Sequence, residues 1–383
     1  MIPRGKIDIT YTAIFAGLYY CFSDLFKKKE NITGDDEKLI CLSVRTGFDL
    51  LLSTLNFPAG SEILVTDINI PDMFNIITSH QLIPVPLIVD KHTLNVDPGQ
   101  IEGAITPNTR AILITHLFGG IMEIDEILSI SRKNKLFVIE DCAQAYAGNY
   151  YNGNPMSDVA MFSFGFIKTN TSLSGALINV RDPSMLNKMR QLELQLPQQK
   201  KNIFLKKLWK GMFVKLLTST IIYGLFYRII LFTGKDFDKV LSGFTRGFSG
   251  DDILTKIRYR PSIPNVRLLK KRLKDFSAET IISRKRFAVD ILNHTSTVIK
   301  IGDLNKNYTY WVLPIEVAVP NKIIDRLRRN GFDATNKASS LVKLPSPSSS
   351  ANNELLLDNL VYLPMYPAMT KRKRYKLSQI INA

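Results

Sequence analysis

From Leu42 to Val180, apolar runs of strand length alternate with stretches of helical period. Phe48–Leu55 has helical spacing and is followed by Pro58, Ala59 and Gly60, then by a strand-like run, Glu62–Val65. A helix over Asp72–Ser79 leads to a strand at Val85–Val89, and a helical piece near Pro98–Ala104 leads to Ala111–His116. Ile124–Asn134 feeds Leu136–Ile139, and two further runs, Val159–Phe164 and Ala176–Val180, close the series. Short continuous apolar strands between helices predict βαβ crossovers and a largely parallel sheet covered on both faces. Ligands of such sheets bind beyond the carboxyl ends of the strands. Asp141, His116 and Ser163 fall at or near that edge.

Outside this region the rhythm changes. Residues 1–40 read as an arm with an apolar helix, Ala13–Phe22, docked on the core, and a polar break, Lys27–Lys38. Residues 41–197 form the large α/β domain, and 198–256 interrupt it. The string Lys200–Lys235 holds eight basic residues and no acid. Lys206, Lys207 and Lys210 share one helical face there, with Leu205, Leu208, Trp209 and Met212 largely opposite. Twelve uncharged residues separate Lys215 from Arg228, too few to cross ~30 Å of hydrocarbon. The pattern suits a helix lying in a membrane interface, or a lid or dimer-contact hairpin. Residues 257–383 read as connecting helices (Val266–Phe276, Ile281–Leu292) and a small α+β domain. That domain has a strand in 308–318, a helix over 320–330, a polar loop at Pro345–Asn353 and a final helix.

Charge sharpens the picture. The formal net charge is +16, and residues 200–260 hold 13 Lys/Arg against 4 Asp, a net of +9. The rest carries 16 − 9 = +7, including the run Lys371–Arg374. Because the basic segment is interleaved with long aliphatic runs rather than polar loops, nucleic acid is not the expected partner. Three cysteines with no CxxC imply a reducing compartment and no disulfide framework. The four histidines lack metal-ligand spacing, so no bound metal is expected.

The candidate chemistry centres on Leu136–Val180. A lysine soon after a buried strand, as Lys168 follows Phe162-Ser163-Phe164, is partly desolvated; its lowered pKa makes the amine a nucleophile toward carbonyls. The alternative is a solvated loop lysine. Asp141, ending the neighbouring strand, is placed to pair with a protonated pyridine nitrogen, as an Asp does for pyridoxal phosphate; it also suits an N-cap. Gln144 has the chemistry to bond a ring hydroxyl and Ser163 to donate to a phosphate, although both residue types are common at surfaces and in strands. Arg45, Thr46 and Gly47 open a helix, offering amides and a guanidinium to a phosphate, or simply starting that helix.

In this order the residues resemble the DegT/StrS-type sugar aminotransferases, fold-type-I enzymes that use pyridoxal 5′-phosphate. The matching stretches include PAGSEILV, ITPNTRAILITHLFGG, FVIEDCAQAYAGNYYNGNP, SDVAMFSFGFIK, SGALINV and VYLPMYPAMT. The resemblance implies a seven-stranded, mainly parallel sheet in a large domain, a smaller C-terminal α+β domain, and a homodimer. It makes Lys168 the Schiff-base lysine, Asp141 the pyridinium partner and Gln144 the contact to the ring hydroxyl. Ser163 and the Arg45-Thr46 amides would meet the phosphate, Ile70 would pack on the ring, and Arg258 would reach the phosphate of the partner subunit. An amino acid, usually glutamate, would give its amine to the cofactor, and a keto-sugar, typically nucleotide-linked, would receive it. Lys168 would shuttle protons to the cofactor's C4′. The sequence departs from the family pattern at Arg45, Ile70, Arg258, Leu173-Ser174-Gly175 and the insertion at 198–256. These departures leave two alternatives: a lipid-linked or amphiphilic acceptor, or a non-catalytic membrane-associated relative. The expected location is cytoplasmic, peripheral on the inner face of the membrane.

Overall fold

A computed structural model describes residues 1–23, 38–245, 252–337, 340–346, 353–366 and 369–383. Most of the polar break at Lys27–Lys38 and of the loop Pro345–Asn353 lies outside them. The chain opens with α1 (Tyr11–Ser23), β1 (Lys38–Cys41) and α2 (Val44–Leu55). Then follow β2 (Glu62–Thr66), β3 (Ile68–Asn69), α3 (Pro71–Ser79), β4 (Ile83–Leu87) and α4 (Pro98–Ala104). β5 (Thr109–Thr115), α5 (Asp125–Lys133), β6 (Phe137–Asp141), β7 (Val159–Ser163) and β8 (Ala176–Val180) complete one sheet.

That sheet has seven strands in the order β1-β8-β7-β6-β5-β2-β4. Pairs β2–β4, β2–β5, β5–β6 and β6–β7 are parallel, whereas β8 runs antiparallel to both its neighbours. The mainly parallel α/β class therefore holds. Successive side chains alternate across the pleat. Leu64, Ile112, Ile114 and Val138 enter a core shared with the small domain, while Ile63, Val65, Leu113 and Ile139 meet α2 and α3. β4 reads Ile-Pro-Val-Pro-Leu; prolines lack the ladder donor, and β4 is an edge strand. The boundary drawn at residue 40 cuts β1, a four-residue strand too short and too close to polar sequence to announce itself.

Beyond the sheet come α6 (Pro183–Gln195), α7 (Lys201–Leu217), α8 (Thr220–Phe232), α9 (Phe237–Thr245) and α10 (Ile253–Ile257). α11 (Ile263–Lys274) and α12 (Glu279–Asn293) lead to the small domain. Its β9 (Ile299–Lys300), β10 (Leu313–Glu316), α13 (Pro320–Arg329), β11 (Val342–Lys343), β12 (Leu360–Leu363) and α14 (Lys371–Asn382) include the antiparallel sheet β12-β10-β9. The strand expected in 308–318 is confined to β10. Residues 308–312 instead bond the loop after β5: Thr309 N–H donates to Gly119 O (2.7 Å) and Val312 N–H to Phe118 O (3.3 Å).

α1 docks as expected, on a cluster with Phe204, Leu208 and Leu268. The expected orientation of α7 is corrected. Lys207 donates to Ser174 Oγ (2.8 Å), Lys210 lies over the Phe166 ring and Lys215 over Tyr11, while Trp209, Phe213 and Leu216 are exposed. Long lysine stems let the ammonium groups reach inward past apolar neighbours, so helical period alone does not say which side meets the core. Among the described residues no single helix is long and apolar enough to cross a membrane.

Candidate active site

Parallel register sets the site. Thr115 of β5 pairs with Asp141 of β6, and Asp141 with Met161 of β7, two residues before Ser163. The carboxyl ends of three strands thus deliver Thr115, Asp141 and Ser163 to one edge. The connection from β7 to β8 folds back on itself. Thr171 Oγ1 donates to Gly165 O (2.6 Å) and accepts from Leu173 N–H (2.8 Å), and Lys168 N–H donates to Gly165 O (3.0 Å). Asn170 (φ 55°) and Leu173 (φ 68°) hold left-handed conformations, costly for residues with a Cβ and kept where surrounding contacts enforce them. Asn170 is so enforced: Asp8 accepts from its N–H (2.8 Å), and its side-chain amide donates to Arg272 O (2.9 Å).

Lys168 is partly buried at the mouth of this turn. Burial drives its pKa down to about 8; the Asp141 carboxylate opposes the shift and Arg45 adds to it. Its Nζ lies 4.1 Å from the centre of the Trp311 ring, and Trp311 Nε1 donates to Ile167 O (3.1 Å). Gly119 (φ 97°) permits this approach, since a Cβ there would meet Trp311 N at 2.5 Å.

Asp141 is buried. One oxygen accepts from Ala143 N–H (3.0 Å) and the other from Asn69 Nδ2 (3.2 Å), which also donates to Thr115 Oγ1 (2.8 Å). The bond to Ala143 makes a local turn, because no α-helix follows it. Gln144 Oε1 accepts from Phe118 N–H (2.8 Å), leaving its NH2 end as the donor for a ligand. On the opposite face of β6, fully buried Glu140 accepts from His116 Nε2 (2.9 Å) and from the Tyr151 hydroxyl. Burial alone would raise the Glu140 pKa, but the bonds from His116 and Tyr151 hold it below the ordinary range. His116 Nδ1 accepts from Met122 N–H (3.0 Å), which fixes the proton on Nε2. His116, Glu140 and Cys142 come within 4.8 Å of one another; the hydrogen bonds of His116 and Glu140 account for the grouping.

The expected phosphate residues are dispersed in their bonding. Ser43 caps α2, accepting from Thr46 N–H (3.2 Å), and buried Thr46 donates its hydroxyl to Ile257 O (2.8 Å). Gly47 answers a packing demand, since a Cβ there would lie 2.4 Å from Ile178 Cδ1 of β8. Arg45 Nε pairs with Asp72 (2.5 Å) at the start of α3, which Ile70 precedes. Ser163 Oγ accepts from Gly165 N–H (3.4 Å). Arg258 bonds Asp49 twice, at 2.9 and 3.0 Å, and Asp49 also pairs with His80 (2.9 Å). Burial would raise the Asp49 pKa; His80 and Arg258 pull it down. Lys168, Asp141, Gln144 and Ser163 thus share one edge, with Arg45 within electrostatic reach, whereas Arg258 is tied to α2. Asn69 and Trp311 were missed by sequence reasoning. Trp311 is one of only two tryptophans, a usable hint, but Asn69 gave no signal.

Fold and site together define an α/β protein with a strand-end carboxylate and a desolvated lysine at the carboxyl edge of its sheet. The family model of the DegT/DnrJ/EryC1/StrS aminotransferases matches residues 28–218, and the chain belongs to that family. It is 37% identical over 123 residues to GDP-perosamine synthase of Caulobacter vibrioides, 32% of this chain. The matched stretch spans about a third of that relative (33%). The fold is that of sugar aminotransferase CalS13 from Micromonospora echinospora (TM-score 0.65, 18% identity, 100% of this chain and 99% of that one). It is also that of NtdA from Bacillus subtilis, solved with bound cofactor PMP (TM-score 0.66, 17% identity, 98% and 83%).

Proposed function

We propose that the protein is a pyridoxal-phosphate-dependent aminotransferase that moves an amino group from an amino acid, glutamate first, to a keto-sugar carried on a nucleotide. The observation that carries this reading is the placement at one sheet edge of buried Asp141 and of Lys168, whose amine burial brings down to a pKa of about 8. Family membership and the name of the Caulobacter relative support the reaction class and the sugar; the PMP-bound neighbour supports the cofactor.

The donor set fits the cofactor: an anion for a pyridinium, an amide NH2 for a ring hydroxyl, and a hydroxyl and helix-start amides for a phosphate. When bound, pyridoxal phosphate supplies the electron sink. Asp141, held by Asn69 and Ala143, would keep the ring nitrogen protonated. Gln144 would orient the ring through its hydroxyl, and Ile70 would supply an apolar contact to it. Ser163 and the Arg45 amide at the start of α2 would hold the phosphate, whereas the Thr46 N–H is taken by Ser43 and its hydroxyl by Ile257 O. Lys168, neutral in a useful fraction near pH 8, would serve as the base that takes up and returns the proton of the substrate carbon. In a homodimer, Arg258 would leave Asp49 for the partner's phosphate; its side chain is 45% exposed, so the partner has access. The same reading puts the enzyme on the cytoplasmic face of a membrane, held by residues 200–235.

The test is the visible absorption band formed with pyridoxal phosphate. Wild type should show a band that borohydride removes, and Lys168→Ala should not. A colourless wild type at saturating cofactor would sink the proposal.

A further inference from the structure

Half of the exposed large apolar side chains among the described residues lie on α1, α7 and α8: four, four and six, 14 of 28. On α1 they form an aromatic stripe, Tyr11, Phe15, Tyr19 and Phe22, at the i, i+4, i+8, i+11 spacing of one helical face. On α7, Trp209, Phe213 and Leu216 repeat the spacing. On α8 only Tyr223 is buried, and the exposed set runs from Ile221 (85% exposed) to Phe232 (94%). At ~100° per residue that set covers roughly half of the helix circumference.

These helices are fixed to one another and to the body. α1 crosses α7 at Gly17, where a Cβ would meet Leu208 Cδ2 at 2.6 Å. α8 is pinned by the Tyr223 hydroxyl, which donates to fully buried Asp333, and by the Met1 amine, which donates to Thr220 O (3.2 Å). Asp333 also takes Arg4 at 2.6 and 2.9 Å, and Arg4 and Arg328 bind Asp238 at the start of α9. A lid poised to close would not be bolted down in this way, so the apolar surface is a permanent feature.

We infer that α1, α7 and α8 form one docking face for an anionic phospholipid bilayer, entered by its aromatic and aliphatic side chains and steered by Lys201, Lys206 and Arg228. This deepens the reading above and rests on it for location alone, not for chemistry. Charge selects the occupant. Two copies meeting through this face would oppose the exposed Lys200, Lys201, Lys206, Arg228 and Lys235 of each, in a segment with no acid, and like charges across an interface are strongly unfavourable. Anionic headgroups attract those same cations. Tryptophan and tyrosine favour the headgroup level. α7 and α8 together bend by 93°, so the pair suits lying in the interface rather than crossing it.

Flotation of the full chain with phosphatidylglycerol/phosphatidylcholine vesicles tests this. Wild type should float with them and bind phosphatidylcholine alone more weakly. The triple variant Ile221→Ser, Leu225→Ser, Phe232→Ser should lose about a hundredfold in vesicle affinity, with its thermal unfolding and its cofactor band unchanged. Reversing Lys206 and Arg228 to Glu should reduce binding only to the anionic vesicles. A triple variant that floats like wild type would overturn the inference, as would a wild type that ignores anionic vesicles. So would a lipid-free dimer that the triple variant splits, because the face would then be a subunit contact. Vesicle binding without a cofactor band would sink the catalytic reading alone; a cofactor band without vesicle binding would sink only this one.

Discussion

At the scale of single residues, Asn69 decides how Asp141 stands. Its amide bridges Asp141 and Thr115, so the carboxylate is held by two donors from different segments. Asn69→Ala should weaken cofactor binding by about tenfold or more and also lower stability by about 1.5–3 kcal/mol, the scale of one hydrogen bond to a buried charged group. Equilibrium dialysis would measure the binding, and unchanged affinity would remove Asn69 from the positioning role. Lys168 gives a pH prediction. Its folded pKa of about 8 lies below the ordinary 10.5, so the nucleophilic neutral amine is gained as pH rises through 8. The rate of cofactor capture should climb with pH and level just above 8. A rate still climbing toward 10.5 would show that the amine is solvated. Lys168, Asp141, Gln144 and Ser163 were legible in sequence because one contiguous stretch carries them. Asn69 and Trp311 were not, since only the folded register brings them there.

At the scale of elements, the strands were legible because parallel strands buried on both faces read as unbroken apolar runs. β1 escaped because its four residues adjoin polar sequence. Residues 308–312 look like strand, but they give their backbone bonds to Gly119 and Phe118. α7 misled more deeply, since Lys207, Lys210 and Lys215 reach toward the body while Lys206, grouped with them by helical period, stays exposed. Burial drives the Lys207 pKa down to about 8, with Lys210 adding to the shift; a Glu at position 207 would disturb the fold as well as any membrane. Gly47 is set by packing, so Gly47→Ala should cost about 1–3 kcal/mol by overpacking against Ile178. Gly103→Ala, where a Cβ meets nothing within 4 Å, should be neutral or stabilising by up to about 1 kcal/mol. Thermal unfolding of the pair compares them directly, and equal effects would contradict the packing account.

At the scale of the whole molecule, the insertion is joined to the body through a buried ion network. Arg4, Arg328, Tyr223 and Asp238 converge around Asp333 and its neighbours, linking the N-terminal arm, the insertion and the small domain. Removing one bond to a buried charge costs about 1.5–3 kcal/mol, so Tyr223→Phe should lower the denaturant midpoint without shifting the cofactor band. A shifted band would mean that the network supports the active site as well as the insertion. The linkage joins residues more than a hundred positions apart and left no trace in local pattern; the basic, acid-free composition that hinted at a surface role was visible from the start.

The most direct measurement follows the cofactor-loaded protein after glutamate is added alone, with no sugar. The account predicts that the visible band disappears in one turnover, that 2-oxoglutarate forms in an amount equal to the bound cofactor, and that Lys168→Ala does neither. A persistent band with no oxoacid formed, across amino-acid donors, would contradict amino transfer as the function of this site.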